Sequence, residues 1–284
     1  MKLQEKAMLT SLSISQWTAR KYDREASKRT AELYNTSENA GRYNKVLVAQ
    51  EEIKKINKIA NEARIYVEQN TLPWGRRGEN LLPSAHYFDF LQALQEIKDR
   101  FEMAVQEFVA VYPELKEEAR IKLNGLYNEQ DYPSIDRIAS KFSFSVSFFP
   151  IPSGEDFRVS LGDEAEQELR TAVESAVKTH YEAANKELWT RLYNVVEHMR
   201  DRLKTIGEPG TRFYDSNVEN IRELCKLLPR LNIGEDQNLE NMRVEIEREL
   251  TRYTPDELKT DEASAKETEK KADEILRKLA GFMS

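Results

Sequence analysis

Val46, Ala49, Ile53, Ile56, Ala60, Ala63 and Val67 recur at alternating steps of three and four residues. That spacing keeps one apolar seam of an α-helix turned towards a partner helix. A second seam runs through Phe90, Leu94, Ile97, Phe101, Ala104, Phe108 and Val111. Two long helices that must each bury a seam predict a helical hairpin or bundle. Pro73, Gly75 and Gly78 lie between them, so the connection is a loop and the two helices pair antiparallel. The first helix is expected to end at Asn70 and the second at Pro113.

The rest of the chain divides by its periodicity. A further helix is expected from about Ser15 to Asn35. Phe142, Phe144, Val146 and Phe148 alternate with Ser143, Ser145 and Ser147, the pattern of a half-buried strand. After Pro150, Pro152, Ser153 and Gly154, the segment Asp156–Ser160 is expected to return as its partner. From Asp163 to Ile206 an apolar line passes through Leu169, Val173, Val177, His180, Ala184, Leu188, Leu192, Val195 and Met199. This predicts a helix of ~65 Å, longer than shorter neighbours can cover. Its line Leu188–Met199 should therefore meet the C-terminal helices or a second copy, with a two-fold dimer as the expectation. Shorter helices are expected around Val218–Leu228 and Leu239–Leu250. Thr254, Pro255 and Glu257 read as a capping box with proline at N1, opening a charged helical tail with little to anchor it. The expected fold is mainly α: an elongated helical bundle or coiled-coil hairpin with a small two-stranded β-ribbon insertion. Its expected regions are an N-terminal helical hairpin (1–140), the ribbon (141–162), a long helix with short helices completing the bundle (163–252), and the tail (253–284).

Composition agrees with long solvated helices. Of the 284 residues, 33% are charged and 39% hydrophobic, with only 10 Gly and 9 Pro. The formal net charge of −7 argues against a generally basic nucleic-acid protein while leaving room for a local basic face. No apolar run approaches the ~20 residues that span a bilayer, and the charged N-terminus lacks the apolar core of a signal peptide. The expectation is a cytoplasmic protein with no membrane contact. The single cysteine, Cys225, sits beside Leu224, Leu227 and Leu228, the setting of a buried spectator.

Four stretches carry a resemblance. They are Ser11-Leu12-Ser13-Ile14-Ser15-Gln16-Trp17-Thr18-Ala19-Arg20-Lys21, Thr71-Leu72-Pro73-Trp74-Gly75, Phe148-Phe149-Pro150-Ile151-Pro152 with Asp156-Phe157-Arg158-Val159, and Asn220-Ile221-Arg222-Glu223-Leu224 followed by Leu227-Leu228-Pro229-Arg230-Leu231-Asn232. Their order over roughly residues 8 to 250 resembles the bacterial, plasmid and phage family called domain of unknown function 3150. The resemblance implies a mobile-element context, sometimes near MoxR-like AAA ATPases and von Willebrand factor A-type partners. It supplies no catalytic residues.

Chemistry is sparse. His180 and His198 lie ~27 Å apart on one helix and cannot share a metal within a chain, and His86 starts another helix. No Gly-rich phosphate loop, paired Cys motif, HExxH or nucleophile elbow is present. The carboxylates at Glu164, Glu166, Glu168 and Glu174 read as a solvated face. The expectation is a protein without catalytic, cofactor or metal residues.

Two binding candidates stand out. Trp74, Arg76 and Arg77, set among glycines, read either as an exposed partner-binding anchor or as a plug at the end of the hairpin. Trp17, Arg20, Lys21, Arg24 and Lys28 form a basic and aromatic stripe on the expected first helix, suited to phosphate and base contacts. Against that, Asp23, Glu25 and Glu32 neutralise part of the stripe, Trp17 can dock into the bundle, and the acidic balance of the chain weighs towards this. The leading expectation is a non-enzymatic phage- or plasmid-type protein that binds a partner macromolecule, such as a host-defence component it helps to evade or an AAA-type ATPase. The alternative is a nucleic-acid-binding accessory protein that uses the N-terminal stripe.

Overall fold

The computed structural model describes residues 3–75, 78–156, 163–206 and 213–283. In chain order the elements are α1 (Leu3–Lys6), β1 (Ala7–Ser15), β2 (Arg20–Tyr22), α2 (Arg24–Leu33), β3 (Asn44–Val46), α3 (Gln50–Asn70), β4 (Leu72–Pro73), β5 (Asn80–Pro83) and α4 (Tyr87–Leu123). They continue with α5 (Ile135–Ile138), β6 (Ser143–Phe149), α6 (Asp163–Lys204), α7 (Ser216–Leu231), α8 (Gln237–Leu250), α9 (Pro255–Thr260) and α10 (Glu262–Met283). The fold is mainly α, as the seams require. One sheet has the order β4-β5-β1-β6, and a separate two-stranded antiparallel sheet joins β2 to β3.

The strands depart from expectation near the N-terminus. The stretch from Ser15 to Asn35 is not one helix. Ala7–Ser15 is a strand whose Ala7 and Leu9 are buried, and helix begins only at Arg24. A strand's backbone groups need a partner, and β1 finds β5 antiparallel, with Ala7 opposite Pro83 and Thr10 opposite Asn80. Of the ribbon expected over 141–162, the first strand forms as β6. β6 takes its place beside β1, Gly154–Asp156 is a 3₁₀ turn, and residues 157–160 of the expected return strand lie outside the described residues. An isolated two-stranded ribbon is marginal, and joining a larger sheet satisfies more backbone groups. A small two-stranded antiparallel sheet lies at Arg20–Tyr22 and Asn44–Val46.

Contacts group the chain into two units, each discontinuous in sequence. The first comprises Met1–Ser11, Glu68–Phe90 and Ser147–Ser284. Its core is centred on α6, whose Ala184, Leu188, Trp189, Leu192, Val196, Met199 and Leu203 are buried. They meet Ile221, Cys225 and Leu228 of α7, Leu239 and Ile246 of α8, and Ala272, Ile275 and Leu279 of α10 in one apolar cluster. Trp189 stacks on Phe282 at 4.3 Å between ring centroids. The charged tail expected after Thr254 is thus a packed helix. Its few apolar residues fall at steps of three and four, and one buried stripe suffices to anchor a charged helix. Thr254 and Glu257 do form the expected capping box. Leu188, Leu192 and Met199 are covered by this chain's own helices, which removes them as the reason for a second copy.

The second unit comprises Leu12–Val67 and Leu91–Val146. Ile53, Ile56, Ala60, Ala63 and Val67 of α3 are buried, as are Leu94, Ile97, Phe101, Ala104, Phe108 and Tyr112 of α4. Ion pairs between Glu62 and Arg100 and between Lys55 and Glu107 show that the two helices run antiparallel. The first seam starts later than expected, because Val46 lies on β3 and Ala49 precedes the helix, both exposed. α4 also continues ten residues past Pro113. Proline in a helix costs about 3 kcal/mol, but Leu115 and Ala119 extend the buried seam beyond it.

The link from β1 to β2 holds a strained residue. Ala19 has φ +51° and is fully buried, and its carbonyl accepts from the Leu47 N–H at 2.8 Å. An L-residue pays about 1–2 kcal/mol in this left-handed region, and a β-branched one suffers more. Ala19→Val is expected to lower stability by about 2 kcal/mol or more through strain and overpacking, whereas Ala19→Gly should be close to neutral. Urea unfolding of the two variants checks this, and equal midpoints would show that the turn is unstrained.

Candidate nucleic-acid interface

The β2–β3 ribbon and α2 lie in the second unit, and a buried lysine joins them to its scaffold. The register sets Arg20 opposite Val46, Lys21 opposite Lys45 and Tyr22 opposite Asn44. Lys45 Nζ lies 2.6 Å from Asp131 Oδ2 and 3.0 Å from Asp23 Oδ2, and it donates to the Leu126 carbonyl at 3.1 Å. Burial works against the charge on Lys45. The hydrogen bonds and attraction of Asp131 and Asp23 more than offset it, so the ammonium is held above its ordinary pKa. Asp23 is pulled below the usual carboxylate range, first by the Ala26 N–H and then by Lys45. Asp23 is also the N-cap of α2, accepting from Ala26 N at 2.9 Å. One carboxylate therefore starts the helix and anchors the lysine that holds the ribbon.

Further bonds hold the ribbon to α2. The Asp23 N–H donates to the Tyr43 carbonyl and the Tyr43 N–H to Ser27 Oγ, both at 2.9 Å. Ser27 and Ala31 form the buried stripe of α2. At the other end Asn35, at φ +49°, takes the left-handed position that terminates a helix, and the Thr36 N–H returns to the Ala31 carbonyl at 3.0 Å. Tyr34, one residue before, is left 73% exposed.

The surface so built is basic and aromatic. Arg20, Lys21, Arg24, Lys28, Arg29 and Arg42 are all exposed, and among the described residues none of the six forms an ion pair. The nearby anions are Glu25, Glu32 and Glu38, since Asp23 is committed to Lys45. Between the cations stand Tyr22, Tyr34 and Tyr43, all exposed, and the Arg42 guanidinium lies 5.9 Å from the centroid of the Tyr22 ring. Arg20, Lys21, Arg24 and Lys28 are thus neighbours on a ribbon and a short helix rather than on one long helix. Tyr34, Tyr43 and Arg42 had no signal in the sequence, because the loop that brings 42–46 back to 20–22 has no periodicity.

Trp17 does not share this surface. It is half-buried against α4, with its ring 5.8 Å from Tyr112 and 6.1 Å from Phe108. Tyr112 in turn donates to the Pro133 carbonyl at 2.8 Å, and burial pushes its hydroxyl up to about 12. Gln16 donates to Asn57 and accepts from Arg64, which fixes the chain just before Trp17 on α3. Trp17 is a packing residue.

Trp74 is also buried, in the first unit. Its ring lies 5.4 Å from His180 of α6. Arg191 holds the loop there by donating to the carbonyls of Glu68, Gln69 and Thr71 at 2.9–3.0 Å, groups that the end of α3 leaves without helical partners. A Cβ on Gly75, at φ +39°, would sit 2.6 Å from His180 Nε2, so only glycine fits. Trp74 is a buried packing residue rather than an exposed anchor, because an indole gains more from apolar contact than from water. Arg76 and Arg77 lie outside the described residues.

His86, His180 and Cys225 pack within the first unit. His86 is buried, and Arg230 donates to its Nδ1 at 3.3 Å while pairing with Asp89 at 2.9 Å. Arginine can only donate, so Nδ1 accepts and Nε2–H bonds Asn70 Oδ1 at 2.9 Å. Burial, then Arg230, holds this imidazole below its ordinary pKa. His180 packs on Trp74 and His198 is exposed. Burial pushes the Cys225 thiol up to about 12, which leaves it unreactive.

A mainly helical protein with a basic, tyrosine-bearing lobe is the class that this geometry defines. The profile of the family described as Protein of unknown function (DUF3150) matches residues 4–235, and the chain belongs to that family. No curated protein and no solved structure matches it significantly. No helix among the described residues is long and apolar enough to cross a membrane.

Proposed function

We propose that this protein acts by binding a macromolecule rather than by catalysis, and that the macromolecule is a nucleic acid held on the β2–β3 ribbon and α2. One observation carries the reading: six exposed cations, without ion-pair partners among the described residues, surround three exposed tyrosines on an otherwise acidic chain. Surface cations are commonly neutralised by nearby carboxylates. Here Asp23 is occupied by Lys45, and Glu25 and Glu32 of α2 pair with none of the six cations among the described residues, which leaves positive charge for phosphates. A phage- or plasmid-borne accessory protein is the setting in which such a surface would operate.

Fluorescence anisotropy with labelled oligonucleotides tests it. Binding is expected at low salt and should weaken steeply as salt rises, since each neutralised phosphate releases counterions. Arg20→Ala/Lys21→Ala/Arg24→Ala should weaken binding at least about tenfold and flatten the salt dependence. Absence of binding at low salt to both single strands and duplex would overturn the proposal and turn attention to a protein partner, such as a host-defence component or an AAA-type ATPase.

A further inference from the structure

We infer that the ligand of this surface is single-stranded rather than duplex nucleic acid, with Tyr34, Tyr43 and Tyr22 acting as stacking platforms. The inference rests on the nucleic-acid reading and adds the form of the strand. A duplex offers a protein surface phosphates and groove edges, while the faces of its bases are stacked on one another. Cations alone serve such a ligand, and three exposed phenol rings among them add little. An unpaired strand presents the face of every base, and aromatic side chains beside cations hold it without regard to sequence.

The placement of the rings fits that ligand. Tyr22 and Tyr43 lie at the N-terminal end of α2, tied there by the Tyr22–Asn44 pairing and by the Tyr43–Ser27 hydrogen bond. Tyr34 lies at the C-terminal end, next to the left-handed Asn35 that stops the helix. The ten residues of α2 separate the two ends by ~15 Å, a span that an extended strand crosses in a few nucleotides. Arg24 and Lys28, one turn apart on α2, stand between the rings where the intervening phosphates would pass. Arg42, set against the Tyr22 ring, puts a cation beside a stacking face. The backbone that carries the rings is fixed, at Tyr43 by hydrogen bonds through both its N–H and its carbonyl and at Tyr34 by the helix cap. Little conformational freedom is then lost on binding.

The test compares three labelled probes: an oligothymidylate, an abasic strand of the same length, and a duplex of mixed sequence. The oligothymidylate is expected to bind most tightly. Tyr34→Ala/Tyr43→Ala should reduce its affinity at least about tenfold, to near that of the abasic strand, while leaving the abasic and duplex affinities unchanged. Tyr34→Phe/Tyr43→Phe keeps the rings and should restore binding. Both side chains are exposed, and circular dichroism of the variants should match that of the unaltered protein. Equal affinity for the abasic strand, tighter binding of the duplex, or unchanged affinity in the alanine variant would overturn the single-strand inference and leave nucleic-acid binding standing. Failure of all three probes to bind at low salt would overturn both.

Discussion

Ile56→Asp is expected to unfold the second unit at room temperature. Ile56 is 0% exposed, on the α3 seam that packs in one unit with Leu94 and Phe101 of α4. The substitution removes the packing of an aliphatic side chain, which by itself costs about 2–5 kcal/mol in a core. It also puts a carboxylate at a fully buried position on an apolar seam, and an unpaired buried charge is costly. The sum is comparable to the whole stability of a typical domain, about 5–15 kcal/mol. Ile65→Asp on the same helix supplies the comparison. Ile65 is more than half exposed, and a charge there should change stability by only a few tenths of a kcal/mol. Calorimetry of the two variants decides the point. An unchanged transition in Ile56→Asp would mean that the α3 seam is not buried in solution.

The second large effect is expected at Lys45. Lys45→Ala leaves Asp23 and Asp131 as neighbouring, largely buried carboxylates with no cation between them. Breaking a buried pair from one side costs about 3–5 kcal/mol, far more than the pair contributes when intact. Combining Lys45→Met with Asp23→Asn and Asp131→Asn removes all three charges and should recover most of the loss, since Asn remains a competent N-cap. The pH dependence follows from the two shifts. Asp23 is held below its ordinary value, so its contribution is present at neutral pH and is lost as pH falls through the folded-state pKa. Lys45 is held above its ordinary value, so its contribution persists below that value and is lost as pH rises through the folded-state pKa. The gap between wild type and Lys45→Ala should therefore narrow in acid, where protonation relieves the carboxylates. A gap independent of pH would show that the lysine acts through its aliphatic stem alone. Loss of Lys45 should also weaken nucleic-acid binding without removing any surface cation, because the ribbon loses its anchor.

The helical seams were legible because each is a property of one segment. Any helix formed by residues 50–70 or 87–123 must bury the apolar side chains that recur at three and four residues, whatever the partner. The mainly α fold, the antiparallel hairpin and the capping box at Thr254 follow from that local arithmetic, as does the status of Cys225 as a buried spectator. The errors fell where the outcome depends on a partner distant in sequence. Ala7–Ser15 is a strand because it lies between β5 and β6 in one sheet, although 127 residues separate it from Ser143–Phe149, the strand that its own alternation predicts. Residues 262–283 carry too few apolar groups to announce a core helix, yet α6 offers them a complementary face. Trp74 reads equally as anchor and plug until His180, more than 100 residues later, is set against it.

The candidate site divides in the same way. Residues 17–29 alone disclose five of its six cations and even the one-turn spacing of Arg24 and Lys28. Which of the neighbouring carboxylates would cancel them could not be read from that stretch, because charge compensation depends on distance in space. Only the tertiary structure commits Asp23 to Lys45, turns Trp17 onto Phe108 and Tyr112, and brings Arg42 and Tyr43 alongside Tyr22. The sequence by itself determined which segments are helical and which faces they bury, since periodicity is local. The pairing of strands, the fate of each surface charge and the exposure of each ring were decided by the fold, since they are relations between segments that no single segment contains.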